Sequence, residues 1–178
     1  MNKIIGVCVS IFILGLVACS SASPDFDLYE GKPLSIAVIG DIPDVKEEQI
    51  SFQEITIEDL LERNLQTYDA VFITKEHLSE AAGGQYADVY LNSGIPFFFI
   101  EATKTYHPFI EQDLTYEDGY DIKHISKHYA VGYFSSKTEE DRYWYFGLYN
   151  DVVSEENIKA TYSTIFGTIA STTSNFSN

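Results

Sequence analysis

The chain has 178 residues, with 27 acidic against 11 basic side chains and a formal net charge of −16. A body this negative repels phosphate backbones and anionic lipid headgroups, which argues against nucleic-acid binding. Hydrophobic content of 45% and aromatic content of 15% exclude an acidic disordered tail and suffice for one proper core.

Lys3 is followed by a nearly unbroken apolar run from Ile4 to Val17. A membrane-spanning helix needs about 20 apolar residues, so this run is too short for a stable span. A positive start, a short apolar stretch and small residues behind it form the pattern of a secretory signal. The run ends in Leu16-Val17-Ala18-Cys19, which resembles the lipobox of bacterial lipoproteins. The resemblance implies diacylglyceryl transfer onto the Cys19 thiol and cleavage between Ala18 and Cys19. Residues 1–18 are therefore expected to be a signal peptide and Cys19 the lipidation site. Two acyl chains anchor stably, at about 0.8 kcal/mol per buried methylene. Cysteine usage agrees. Cys8 lies in the signal, which leaves Cys19 alone and no internal disulfide possible.

Residues 19–33 mix Ser, Pro, Asp and Gly without apolar periodicity and read as a flexible tether. A single α/β domain is expected over residues 34–170. Leu34 to Gly40 is a continuous apolar run ended by glycine, which suits a strand buried on both faces. Ile50 to Ile55 alternates and reads as a second strand. The stretch between them is short for a helical crossover and predicts a loop or a single turn. Thr56 reads as a helix cap with Asp59 completing a capping box, and Ile57, Leu60, Leu61 and Leu65 follow at helical spacing. Ala70 to Ile73 is a third strand. A helix within residues 76–92 is interrupted at Gly83-Gly84, Gly94 stops it, and Pro96 to Ile100 is a fourth buried strand.

The pattern changes after Glu101. Residues 103–127 are polar and predict a loop with one turn near His107 to Ile110. Tyr129 to Phe134 and Tyr143 to Tyr149 read as two strands joined by the polar loop 135–141. Ser154 caps a last helix with Glu155 and Glu156 in its first turn. Its apolar stripe is Ile158, Tyr162, Ile165, Phe166 and Ile169. Residues 171–178 read as a disordered polar tail. The alternation of strands and helices predicts a three-layer, flavodoxin-like or Rossmann-like fold. Its sheet is mostly parallel, with an antiparallel C-terminal hairpin at one edge.

Ligands of open α/β sheets bind outside the carboxyl ends of the strands. Those ends supply Asp41, Thr74, Lys75, Glu101 and Lys104 as candidate ligand-binding residues, though each is also an ordinary loop or cap residue. Gly40-Asp41-Ile42-Pro43 lacks the spaced glycines of a phosphate-binding turn, and no cofactor is expected. His124 and His128 have the four-residue spacing used for zinc, but Lys123 and Lys127 oppose a cation and His107 stands in a loop, so no metal site is assigned. No nucleophile elbow is present, and no catalytic residue is assigned. On the last strand Tyr143, Tyr145 and Tyr149 share one face and Trp144, Phe146 and Leu148 the other. With Tyr133 nearby, the tyrosines form either a binding platform or, as the preferred reading, part of the core.

Four segments, Ile39 to Pro43, Tyr68 to Ile73, Ile95 to Glu101 and Tyr145 to Asn150, resemble a group of small uncharacterised Bacillus-type lipoproteins. That resemblance implies an anchor and carries no catalytic residues. The leading expectation is a non-catalytic binding or accessory module, lipid-anchored at the extracytoplasmic face of the cell membrane, with an envelope protein as possible partner. The alternatives are a small-ligand or cation receptor at the strand ends and, last, a hydrolase with an atypical acidic site.

Overall fold

The computed structural model describes residues 26–122, 128–136 and 140–174. The expected signal, Cys19, Lys123, His124, Lys127 and residues 175–178 lie outside them. Six strands form one mixed sheet: β1 (Leu34–Ile39), β2 (Ile50–Glu54), β3 (Ala70–Ile73), β4 (Phe97–Ile100), β5 (His128–Phe134) and β6 (Arg142–Gly147). Their order across the sheet is β2-β1-β3-β4-β5-β6. The first four run parallel, and β5 and β6 are antiparallel additions. The antiparallel hairpin at one edge is therefore present as expected, with β6 outermost.

Burial explains this order. Every residue of β3 and β4 is buried, as is β1 apart from Ser35. Continuous apolar runs need cover on both faces and so occupy the middle of the sheet. β2 buries only Ile50 fully, which suits the opposite edge.

The two faces are covered differently. Against Ala37, Ile39, Val71, Ile73, Phe97 and Phe99 pack residues from short helices: α1 (Asp59–Glu62), α2 (Leu78–Ala81), α3 (Ala87–Asn92) and α4 (His107–Ile110). Against Ile36, Val38, Phe72, Phe98 and Phe146 packs one long helix, α5 (Glu155–Ser174). The expected stripe is what α5 buries: Tyr162, Ile165, Phe166 and Ile169 are inside, and Ile158 packs beside them. Among the described residues, no helix is long and apolar enough to cross a membrane.

Local signals explain the helix ends. The Thr56 backbone N–H donates to Asp59 Oδ2 at 3.0 Å, and the Asp59 N–H returns a longer bond to Thr56 Oγ1. This is the reciprocal pairing of a capping box. The helix that follows is short, however. Arg63 leaves it in an extended conformation, and Leu61 is exposed. The helical region after β3 breaks at Gly83-Gly84 and ends before Gly94, whose φ of 75° is left-handed. The Asn157 N–H donates to Ser154 Oγ and starts α5.

No helix connects β1 to β2. The loop of residues 40–49 instead clamps onto α5. Glu47 is 5% exposed and accepts from Ser163 Oγ and from the backbone N–H groups of Tyr29 and Lys46. Lys159 Nζ sits 2.8 Å from Asp44 and 2.7 Å from Glu155. These carboxylates hold its ammonium well above the usual lysine range.

Two expectations need correction. Residues 26–33 are not free tether. The Tyr29 ring packs edge-on against Phe166 at 6.1 Å, its carbonyl accepts from Gln49 Nε2, and Lys32 pairs with Asp69 at 3.3 Å. A single aromatic residue docks a segment whose composition looks like linker. At the other end, the helix runs on to Ser174, so residues 171–174 are not a disordered tail. The Ser171 and Thr172 hydroxyls both donate to the Thr168 carbonyl at 2.8 Å, and Thr172 is only 2% exposed.

Candidate functional site

The carboxyl ends of β1 and β2 open into a cleft of about 650 Å³. Its floor is apolar, formed by Ile39, Ile55 and Ile57, and its rim carries Asp41, Glu54, Glu58, Glu80 and His77. Chain geometry builds the rim. β1 is followed by Gly40 at φ 101°, a left-handed turn that releases Asp41 toward the cleft. The space beside Gly40 is filled by Thr74, whose Oγ1 would stand 1.9 Å from a Cβ placed there. β2 ends on Glu54. Glu58 stands at the start of α1, where its own backbone N–H, and then the Thr56 side chain, lower its carboxyl below the usual range. It is therefore an anion at neutral pH. His77 Nδ1 lies 3.9 Å from Glu80 Oε2.

The five residues expected at the strand ends do not form one site. Asp41 lines the cleft. Thr74 does not cap a helix by its side chain; its hydroxyl donates to the Ile39 carbonyl at 3.3 Å and closes the β1–β3 junction. Lys75 pairs with Glu101, with Nζ 3.2 Å from Oε2, and that carboxylate raises the Lys75 ammonium. Glu101 reaches it from a left-handed φ of 56° immediately after β4. Lys104 pairs with Asp121 at 2.8 Å, in a short antiparallel bridge between their backbones. Lys75, Glu101 and Lys104 are thus engaged in ion pairs outside the cleft lining.

Sequence reasoning missed Glu54, Glu58, His77 and Glu80. Glu54 was accessible in principle, because it ends the second strand as Asp41 follows the first. The others depend on how α1 and the turn after β3 fold over the strand ends. Among the described residues, no group of three or more His, Cys, Asp and Glu is placed to hold a metal ion. The rim acids therefore ring the cleft and do not converge on a point.

His128 belongs to β5, so it is not part of a helical pair with His124. His107 begins α4, with its Nδ1 2.9 Å from Thr105 Oγ1.

The aromatic hairpin divides by face. Trp144 stacks on Phe98 at 6.1 Å, and Phe146 packs on the same ring at 5.9 Å, so this face is core. On the other, Tyr143 is 54% exposed and stacks on Tyr106 at 4.9 Å, which in turn stacks on Tyr133 at 5.3 Å. Burial raises the Tyr133 phenol, whose hydroxyl donates to Asp141 Oδ2 at 2.7 Å. Tyr149 is not on the strand at all; it opens a 3-10 turn beyond it, Tyr149–Asp151. Comparison with protein-family models, with curated proteins and with solved structures finds no match to this chain.

Proposed function

We propose that this chain is a bacterial lipoprotein, held through acylated Cys19 at the outer face of the cell membrane, whose domain works by binding. Support for the anchor is the Leu16-Val17-Ala18-Cys19 motif behind a short apolar run. We read the fold as a flavodoxin-like three-layer arrangement in which the helix after β1 is replaced by the loop of residues 40–49. The strand order β2-β1-β3-β4 and the cover on both faces favour that reading.

The observation that carries the binding role is the cleft at the carboxyl ends of β1 and β2. Such ends, beside the point where strand order reverses, are where ligands of open α/β sheets sit. Four dispersed carboxylates around an apolar floor suit an organic cation, such as an amine with an aliphatic body, better than a bare metal ion. The amine would be held by the rim acids and the body by Ile39, Ile55 and Ile57.

Thermal unfolding in the presence of a panel of aliphatic di- and polyamines tests this. A binder raises the midpoint by mass action, as RT ln(1 + [L]/Kd). The shift should vanish in Asp41→Asn/Glu58→Gln and persist in Lys104→Gln, which lies outside the cleft lining. No shift across the panel, or a shift indifferent to the cleft substitutions, refutes the assignment.

A further inference from the structure

The sheet ends on β6, so one side of this strand pairs with β5 and the other carries outward backbone N–H and C=O groups. Among the described residues, no backbone hydrogen bond reaches that outer side. Such an edge is a template for one more strand. The opposite edge is blunted by composition, because β2 exposes Ser51, Gln53 and Glu54. β6 has no proline, lysine or acid, and four of its six residues are aromatic. Its one charge, on Arg142, opposes the net charge of −16. In so acidic a body this is a strip where a second acidic body can approach with little repulsion.

At the carboxyl end of β6 lies a groove of about 460 Å³. Phe26, Phe146, Leu148 and Ala160 give it apolar walls, and Asn157 of α5 lines it. Asn157 is 4% exposed. Its Nδ2 is engaged, donating to the Val152 carbonyl at 2.8 Å and to the Tyr149 carbonyl at 3.2 Å. These bonds hold the turn in which Asn150 and Asp151 have left-handed φ of 49° and 57°, and they fix which way the amide faces. Among the described residues, its buried Oδ1 has no hydrogen-bond partner, a costly state for an acceptor. The groove therefore lacks a donor.

One pairing of β6 with its own copy answers both features. Side chains alternate, so Arg142, Trp144 and Phe146 share the α5 face and Tyr143 and Tyr145 the other. A two-fold axis normal to the sheet keeps each face with itself, which allows only antiparallel registers centred on a residue. Centred on Trp144, the pairing sets Tyr143 opposite Tyr145 of the second copy, and aromatic cross-strand pairs stabilise a sheet. On the α5 face it sets Arg142 of the second copy opposite Phe146, at the mouth of the groove. A guanidinium has five donors and no acceptor, which is what the groove lacks. Residues 142–146 contain no acid, so no two acids face each other across the pairing.

We infer that this chain forms a two-fold dimer through β6, joining two six-stranded sheets into one of twelve strands, with Arg142 of each copy seated over the Asn157 groove of the other. The inference is independent of the cleft and of the lipid anchor.

Sedimentation equilibrium of the full protein in detergent micelles tests association. The expected result is a monomer–dimer equilibrium that tightens as salt screens the acidic bodies. Arg142→Ala should weaken it about tenfold or more, with an unchanged far-UV circular dichroism spectrum. Disulfide trapping reads the register. Tyr143→Cys and Tyr145→Cys are made separately and oxidised alone and as a mixture. Opposed Cα atoms about 5 Å apart suit a disulfide, whereas 143 with 143, or 145 with 145, stand about 8 Å apart and do not. The mixture should therefore give a covalent dimer, and each variant alone only the background of the unsubstituted protein.

A monomer at every concentration up to about 1 mM overturns the inference and leaves the edge to a strand of another protein. Trapping no better in the mixture than in the separate variants overturns it equally, because the copies then meet elsewhere or in another register. A dimer indifferent to Arg142→Ala also overturns it, because the groove is then not filled as described.

Discussion

Replacing Phe166 by alanine should remove about 4 kcal/mol of folding free energy, a large share of the 5–15 kcal/mol a domain of this kind has. Phe166 is 0% exposed, and its ring lies 6.1–6.4 Å from those of Tyr29, Phe52, Phe72 and Tyr162. It therefore joins the segment of residues 26–33, the edge strand, the sheet centre and α5 itself. The lost transfer energy is compounded by a cavity that cannot close readily. α5 is pinned on one flank by Glu47 and Asp44 and rests on a rigid sheet. At about 2–4 °C per kcal/mol, the thermal midpoint should fall by roughly 8–16 °C. Chemical denaturation followed by far-UV circular dichroism, with an unchanged denaturant slope, gives the free energy directly. The neighbouring Gly167 supplies the control. It is exposed within the helix, and an added Cβ meets nothing within 4 Å. Gly167→Ala should therefore stabilise by about 0.5–1 kcal/mol. A loss below about 1 kcal/mol for Phe166→Ala would mean that α5 does not cover the sheet as described. A destabilising Gly167→Ala would mean that residue 167 does not face solvent.

Three further outcomes are expected. Gly40→Ala places a Cβ against Thr74 Oγ1 at a left-handed φ and should cost about 2 kcal/mol; adding Thr74→Ala should recover only the clash and leave the backbone strain, as equilibrium unfolding would register. Asp59 has its carboxyl lowered from 3.8, first by the Thr56 backbone N–H and then by the Arg63 guanidinium. A group lowered on folding contributes stability above its ordinary value and loses it as pH falls through the lower folded value. The urea midpoint should therefore drop below about pH 4, and Asp59→Asn should flatten part of that drop; an unchanged profile argues that the capping pair is not formed. Finally, Cys19→Ala should abolish acyl labelling and release the protein into the medium, and retention in the membrane fraction would refute the anchor.

The middle of the sheet was legible in the sequence because β1, β3 and β4 are short apolar runs that tolerate no other placement. The hairpin of β5 and β6 was legible from composition, and α5 from one stripe and one cap. What was not legible depended on single contacts or on tertiary placement. Residues 26–33 look like linker until Tyr29 meets Phe166. Residues 171 and 172 look like tail until their hydroxyls bond back into the helix. Lys75, Glu101 and Lys104 follow strands that lead toward one sheet edge, yet they find partners outside the cleft lining. Glu54 and Asp41 share a cleft because β2 lies beside β1 in parallel, a pairing that the short loop between them did not announce.

The helix that covers the Phe72–Phe98 side is the last of the described elements to be made. α5 follows all six strands in the chain. A polypeptide delivered amino end first thus carries a bare aromatic surface, with Phe72, Phe98 and Phe146 uncovered, until its last turns emerge. Folding cannot finish early. For a chain exported as proposed, that delay would keep it loose enough to be threaded through a translocation pore, with the aromatic side open to holding chaperones on the way.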